Sequence, residues 1–421
     1  MKDGALLKYH RKKRGLNQEQ VAEGIVSTSY YSKIENDLVE PAPETYNLLF
    51  EKLGLERTNA EIENRKFIKL LMDWEKPLLF NNLEEATLIK EKLENLLIKV
   101  IEVDLLLEYQ VKLVRFCIIA KQLSDIKKLI IVLAELTEKF NLRTSFFYYK
   151  HLGNFFYATG DYTRADEHLA ISVSLYNSNH FSELEKADTH YLYSLVLSNL
   201  RNDYNSLSFA ESSLAVFRDH YRLESCAKAH IQIGIGNSRL LNTDVALKHY
   251  NLAKNLSQER QDYKILGIIE HNIASLLHRQ REIGAAIKHL KISLDYKKKF
   301  YDSSYFTTLI LLITYNYEQN EISACKKWIE EGIILLNKVE ASKIQELEIE
   351  FYRQFILDND SDWELFCTKT FFVFLKENKK WNHLTTYSKI IGNYFNKKML
   401  YKKSALYFQE AIIGHENIHV R

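Results

Sequence analysis

Lysine and asparagine recur at matched spacing in two distant stretches of this chain. Lys150, Asn154 and Tyr157 stand around Gly153, and Lys389, Asn393 and Asn396 stand around Gly392. A carboxamide both donates and accepts, so an asparagine can satisfy the N–H and C=O of an extended backbone; a lysine can hold a carboxylate, including the one that ends a polypeptide. His271, Ser275 and His278 take the same register around Ala274, and Arg115, Asn199, Ser238 and Asn316 fall on it or next to it. This is the chemistry of recognition. For bond-making the residues offer no acid–base pair, phosphate loop or nucleophile constellation, and the histidines lack partners at fixed spacing. Cys117, Cys226, Cys325 and Cys367 lie far apart, with no CxxC pair and no histidine at metal-ligand spacing, and read as reduced core thiols. No cofactor, metal or enzymatic activity is expected.

Those side chains need helices to carry them. From about residue 68 a small residue is followed four later by a bulky one and seven later by another small or apolar one, and a further small residue stands twelve before the first. The clearest copies are Gly153/Ala165/Leu169/Ser172, Gly234/Ala246/Tyr250/Ala253, Ala274/Ala286/Leu290/Ser293 and Gly392/Ser404/Phe408/Ala411. Small residues are needed where two helices of a hairpin cross closely. Weaker copies centre on Ala86, Ile126, Ser206, Ala324 and the stretch Trp363 to Phe366, which completes a series with a step of about 40 residues. The unit resembles a tetratricopeptide repeat with lengthened helices. About nine such pairs imply a right-handed superhelix whose concave face is lined by first-helix positions three before, one after and four after the small residue.

Composition agrees with an all-α protein. Of 421 residues three are proline, at 41, 43 and 77, and 13 are glycine, too few turn residues for a multi-strand fold. Hydrophobic residues make up 46% and charged residues 27%, so the protein is expected to fold. A net charge of +2 gives no general attraction to nucleic acid or anionic membrane, and any DNA contact must be local. No apolar run approaches the roughly 18 residues that span a bilayer, so a cytoplasmic location without membrane contact is expected. The 26 tyrosines and 22 phenylalanines suit a large helix-packing core or a binding surface.

The N-terminal segment reads differently. Apolar Ala5, Leu6 and Tyr9 share a helix with a basic run ending at Arg14, and Gly15 stops it. Asn17 can cap a second helix through Ile25, Ser27 or Thr28 a third through Glu35, and a loop from Asp37 to Pro43 leads to a fourth. Two short helices and a tight turn within such a unit are what a helix-turn-helix needs to lay its second helix in the major groove. The stretch LNQEQVAEGIVSTSYYSKIEND resembles the helix-turn-helix of the phage-repressor-like Xre family at Leu16, Gln18, Val21, Ala22, Ser32, Ile34 and Glu35. It departs at Asp37, where glycine is usual. The resemblance implies that Gln18 grips a phosphate and that Thr28, Ser29, Tyr30 and Lys33 reach base edges or backbone. Tyr31 reads as a packing residue and Glu35 as a structural anchor. Residues 1–57 hold nine Lys or Arg and nine Asp or Glu, so counterion release contributes little and a homodimer or higher homo-oligomer on a two-half-site operator is expected.

The plan is therefore a helix-turn-helix domain over 1–58, a linker over 59–67 and a repeat domain over 68–421. That combination resembles the RNPP family of Gram-positive quorum-sensing receptors, nearest its NprR-like members. The resemblance implies a regulator that binds double-stranded DNA and takes a short signalling peptide in the concave groove, through Arg115, Lys150, Asn154, Tyr157, Asn199, His271, Ser275, Asn316, Lys389 and Asn393. Peptide binding would then change oligomeric state or DNA affinity. Two alternatives stand beside it. The array could act on a response regulator of the sporulation relay, as Rap-like members do, or it could serve only to dimerise a regulator of a mobile element.

Overall fold

The computed structural model describes residues 4–55, 60–97, 102–176, 181–358 and 362–419. Helices account for its regular structure, and no strand occurs among the described residues. The protein divides into two compact units, residues 1–221 and 222–421.

The first unit begins with α1 (Gly4–Lys13), α2 (Gln18–Ala22), α3 (Thr28–Glu35) and α4 (Pro43–Lys52). Local chemistry sets their starts. Asn17 and Gln20 form a reciprocal capping box at α2, the Ser27 hydroxyl accepts from the Tyr30 N–H at α3, and Pro43 opens α4. Leu6, Leu7, Val21, Tyr31, Ile34 and Leu49 form the core between them. Asp37 takes the left-handed conformation (φ 56°) without being glycine. Its Oδ1 accepts from the Gly4 N–H at 3.0 Å, so the usual glycine is replaced by a side chain that holds the turn to α1.

Eight helices follow in this unit: α5 (Ala60–Leu79), α6 (Leu83–Leu96), α7 (Val103–Ile119), α8 (Leu123–Ala134), α9 (Leu142–Thr159), α10 (Tyr162–Ser174), α11 (Glu183–Asn199) and α12 (Asp203–Asp219). They pack as consecutive hairpins. Residues 60–67, read from sequence as linker, are the start of α5; residue 59 lies outside the described residues. The helix-turn-helix is docked on the array. Gln110 of α7 donates to the Tyr9 hydroxyl at 2.6 Å in a buried contact, Lys12 pairs with Glu135, and Lys139 pairs with Asp37 at 3.3 Å.

The second unit holds α13 (Leu223–Arg239), α14 (Thr243–Glu259), α15 (Tyr263–Arg279), α16 (Ile283–Lys297), α17 (Ser303–Glu318) and α18 (Ile322–Leu336), then α19 (Lys343–Tyr352), α20 (Trp363–Phe366), α21 (Phe372–Glu377), α22 (Trp381–Lys397) and α23 (Tyr401–His419). With α19 to α21 counted as one irregular pair, the described residues form nine tetratricopeptide-like pairs across the two units. The irregular pair widens into π-helical turns at Arg353–Asp358 and Cys367–Phe371, around the packed rings of Phe351, Phe355, Trp363 and Phe371.

The small-residue pattern acts as its spacing suggests. A Cβ on Gly153 would stand 2.5 Å from Leu169 and one on Gly392 2.9 Å from Phe408, so each glycine makes room for the bulky residue of the paired helix. Serines of the second helix reach back to first-helix carbonyls: Ser206 to Ser194 at 2.8 Å, Ser404 to Gly392 at 2.9 Å and Ser293 to Gly267 at 2.6 Å. One register needs correction. The residue in the crossing position of the α17/α18 pair is Cys325, fully buried with its thiol toward the Ile313 carbonyl, and not Ala324.

Candidate functional site

The α3 helix carries two faces of opposite character. Tyr31, Ile34 and Glu35 are buried, whereas Thr28, Ser29, Tyr30 and Lys33 are exposed, as a groove-reading face requires. Glu35 is the anchor that sets this face. Its Oε1 accepts from Arg11 Nε at 2.5 Å, and its Oε2 from Arg11 Nη2 at 3.0 Å and Gln18 Nε2 at 2.8 Å. The carboxylate thus ties α1, α2 and α3 together while being too deep to meet a phosphate. Gln18 spends one amide N–H on Glu35 and keeps a second donor at the N-terminus of α2, where anions are favoured.

The residues expected to line a groove fall into two sets. In the first unit, Asn154 and Tyr157 are half-buried and Asn199 is exposed. Asn154 makes no side-chain hydrogen bond among the described residues, while Asn199 donates to the Leu195 carbonyl of its own helix. Burial lifts the Tyr157 phenol above its ordinary range, so it stays protonated and able to donate. Lys150 departs from expectation: it is buried and held between Glu185 at 2.6 Å and Asp188 at 2.7 Å, one repeat further on. Burial opposes its charge, but the two carboxylates prevail and hold its pKa above the ordinary value. Its ammonium is therefore committed within the protein. Arg115 is likewise engaged, donating to the Leu78 carbonyl at 3.3 Å and to Asn81 Oδ1 at 2.8 Å. The structure brings Arg115 and Lys150 together with Lys112, Glu75 and Asp188 around a narrow charged cleft. His151 lies beside it, buried, and burial together with Lys150, Arg115 and Lys112 keeps it neutral.

In the second unit His271 and Ser275 are half-buried on α15, and Lys389 and Asn393 are exposed on α22 without a side-chain bond among the described residues. His271 Nδ1 meets Thr308 Oγ1 at 3.0 Å; burial, then Lys297, press its pKa down to about 3. Asn316 is a correction: it is buried, and its amide donates to the Leu312 carbonyl at 2.7 Å. The cause is the one-residue register at Cys325, which puts Ile310 and Thr314, rather than Asn316, on the lining positions of α17. These two line a cavity of about 390 Å³ between α17, α19 and α22, with Leu311, Ile344, Glu348 and His383. Sequence reasoning missed Glu348 and His383 because the eighth pair breaks the repeat pattern. Moving the α17 copy to its cysteine would have found Thr314.

Comparison with known proteins finds the same helix-turn-helix and the same helical-repeat fold. A family described as helix-turn-helix matches residues 7–58. The "Transcriptional activator NprA" of Geobacillus stearothermophilus is 29% identical over 395 residues, covering 92% of this chain and 97% of that one. Residues 7–58 are thus a helix-turn-helix domain, and the likeness to the activator runs along nearly the whole chain. Another relative, the "Response regulator aspartate phosphatase I" of Bacillus subtilis, is 22% identical over 83% of this chain and 90% of that one. The same fold is seen in the apo form of the quorum sensor NprR from B. thuringiensis, at 16% identity and a TM-score of 0.70, covering 83% of this chain and 99% of NprR. NprR in complex with its cognate peptide NprX aligns with a TM-score of 0.64 at 15% identity, over 82% and 97% of the two proteins. No described helix is long and apolar enough to cross a membrane.

Proposed function

We propose that this protein is a cytoplasmic quorum-sensing transcription regulator that binds a short signalling peptide along the first helices of its array and thereby changes its oligomeric state or DNA binding. The observation that carries the reading is the exposed face of α3, set by the Arg11–Glu35–Gln18 anchor, in a protein related along 92% of its length to a transcriptional activator. Gln18, Thr28, Ser29, Tyr30 and Lys33 are the residues assigned to DNA, within a domain over 1–58. The peptide is inferred from the likeness to NprR, which is seen with its cognate peptide. Asn154, Tyr157, Lys389 and Asn393 are the groove residues best placed to meet it, since their polar groups carry no bond among the described residues. A balanced charge in the DNA-binding domain favours a homodimer on DNA, because one copy neutralises few phosphates.

The test is size-exclusion with light scattering, with and without short peptides from neighbouring genes, repeated with Asn154→Ala and Asn393→Ala. A peptide-dependent change in mass that the substitutions abolish supports the receptor. No change with any candidate, beside intact operator binding, leaves the array as scaffold. A second reading, action on a response regulator, is favoured by the kinship with the aspartate phosphatase and by exposed Met72 and Leu88 beside Asp73 and Glu85 on α5 and α6. Faster loss of phosphate from a phosphorylated receiver domain in the presence of the protein would support it.

A further inference from the structure

Four glutamate side chains of the described residues are buried: Glu35, Glu185, Glu270 and Glu348. A buried charge is costly unless a partner offsets it. Three have a permanent cation, namely Arg11 for Glu35, Lys150 for Glu185 and Lys254 for Glu270 at 2.8 Å. Glu348 has none among the described residues. Its Oε1 accepts from the Tyr387 hydroxyl at 3.0 Å and meets His383 Nδ1 at 2.8 Å, a partner that is charged only when protonated. Glu348 also lines an open cavity, where Ile310, Leu311 and Ile344 give an aliphatic strip on α17 and α19, and uncharged Thr307, Thr314, Gln345, Asn382 and Thr386 stand around it.

We propose that this cavity is a slot for a basic side chain of the bound peptide, with the aliphatic stem along Ile310, Leu311 and Ile344 and the cationic head at Glu348. The inference rests on the peptide-groove reading and names the residue type that this part of the groove selects. An aliphatic strip leading to a single carboxylate matches an amphipathic lysine or arginine, which buries its methylenes while its charge meets a partner. An acidic side chain would face Glu348 across an apolar gap, and a purely aliphatic one would leave the carboxylate without its counter-charge. At about 390 Å³ the cavity has ample room for such a side chain. Its position is continuous with the expected groove. Asn382, Thr386, Lys389 and Asn393 follow one another at spacings of four, three and four on one stripe of α22, so the slot and the free asparagine share a face.

The test is saturation-transfer NMR on the full-length protein with two probes, Nα-acetyl-L-lysinamide and its aliphatic counterpart Nα-acetyl-L-norleucinamide. The lysine probe should bind about tenfold tighter, as one charge-assisted hydrogen bond implies. Glu348→Gln should bring the two probes within about twofold, and Thr386→Trp, which fills the cavity from an exposed position on α22, should abolish both. Equal binding by the unsubstituted protein, absent binding of the lysine probe, or unchanged lysine binding in Glu348→Gln overturns the slot. Failure of the peptide reading looks different: no neighbour-gene peptide changes the mass of the protein, while the lysine probe still seats at Glu348.

Discussion

Gly234 shows how one missing methyl group sets the approach of two helices. A Cβ there would meet the ring of Tyr250, itself fully buried. Gly234→Ala should therefore destabilise the protein by about 1–3 kcal/mol despite the better helix propensity of alanine, read as a lower urea midpoint with an unchanged slope. His10 makes a residue-scale prediction about pH. It is buried on α1, its Nε2 has no partner, and burial, then Lys13 and Arg14, bring its pKa from 6.5 down to about 3. The unfolded state takes up this proton below about pH 6.5 and the folded state only near 3. The stability it preserves is thus complete above 6.5 and is lost as pH falls toward 3. Urea unfolding followed from about pH 7 to 5 should lose about 1.4 kcal/mol per unit from this group below its unfolded pKa. His10→Leu should remove that part of the slope.

At the scale of elements, the array ends most of its helices without glycine. Lys121, Arg201, Tyr221, Leu241, Gln261 and Arg281 all take positive φ after a helix, and Gly160 is the glycine in this series. Scarce glycine therefore did not mean few left-handed caps, and turns are invisible to a search for Gly and Pro. The strain is local and removable. Leu241 is 80% exposed at φ 63°, so Leu241→Gly should raise stability by about 0.5–1 kcal/mol, measured by thermal or urea unfolding. An unchanged or lower stability would mean that the leucine side chain makes a contact that offsets the strain. Helix starts were easier to read: Asn17 and Ser27 cap where their residue types suggest. The α5 start at Ala60 was misread as linker because its first turns precede the first repeat centre at Ala86.

Within the first unit, the helix-turn-helix and the array are joined by specific polar contacts. Gln110 and Tyr9, 101 residues apart, share a buried hydrogen bond, and Asp37, which replaces the usual turn glycine, reaches both Gly4 and Lys139. The surface pairs contribute little, whereas a buried hydroxyl left without its amide is costly. Gln110→Leu should therefore weaken the docking by about 1–3 kcal/mol, seen as faster amide exchange in α1 with unchanged helical content. If exchange in α1 is unaltered, the docking is carried by apolar packing instead. Because the docked domain leaves Thr28, Ser29, Tyr30 and Lys33 exposed, this arrangement is compatible with DNA reading.

The residues by themselves determined that the protein is helical, that a helix-turn-helix opens it and that about nine hairpins follow, because caps, apolar periodicity and helix-crossing residues act over spacings of three, four and twelve. The same local signals placed Asn154 and Asn393 in matching register on the first helices of their pairs. Only the tertiary structure decided which polar groups stay free. Lys150 meets Glu185 and Asp188, and Glu348 meets His383 and Tyr387, across 35 to 39 residues of sequence. Such pairings depend on how one helix pair seats on the next, and a register shift of one residue, as at Cys325, takes Asn316 off the lining positions of α17 and puts Thr314 in the cavity wall. Charge matching in the interior is a property of neighbours in space, and repeat spacing alone does not name them.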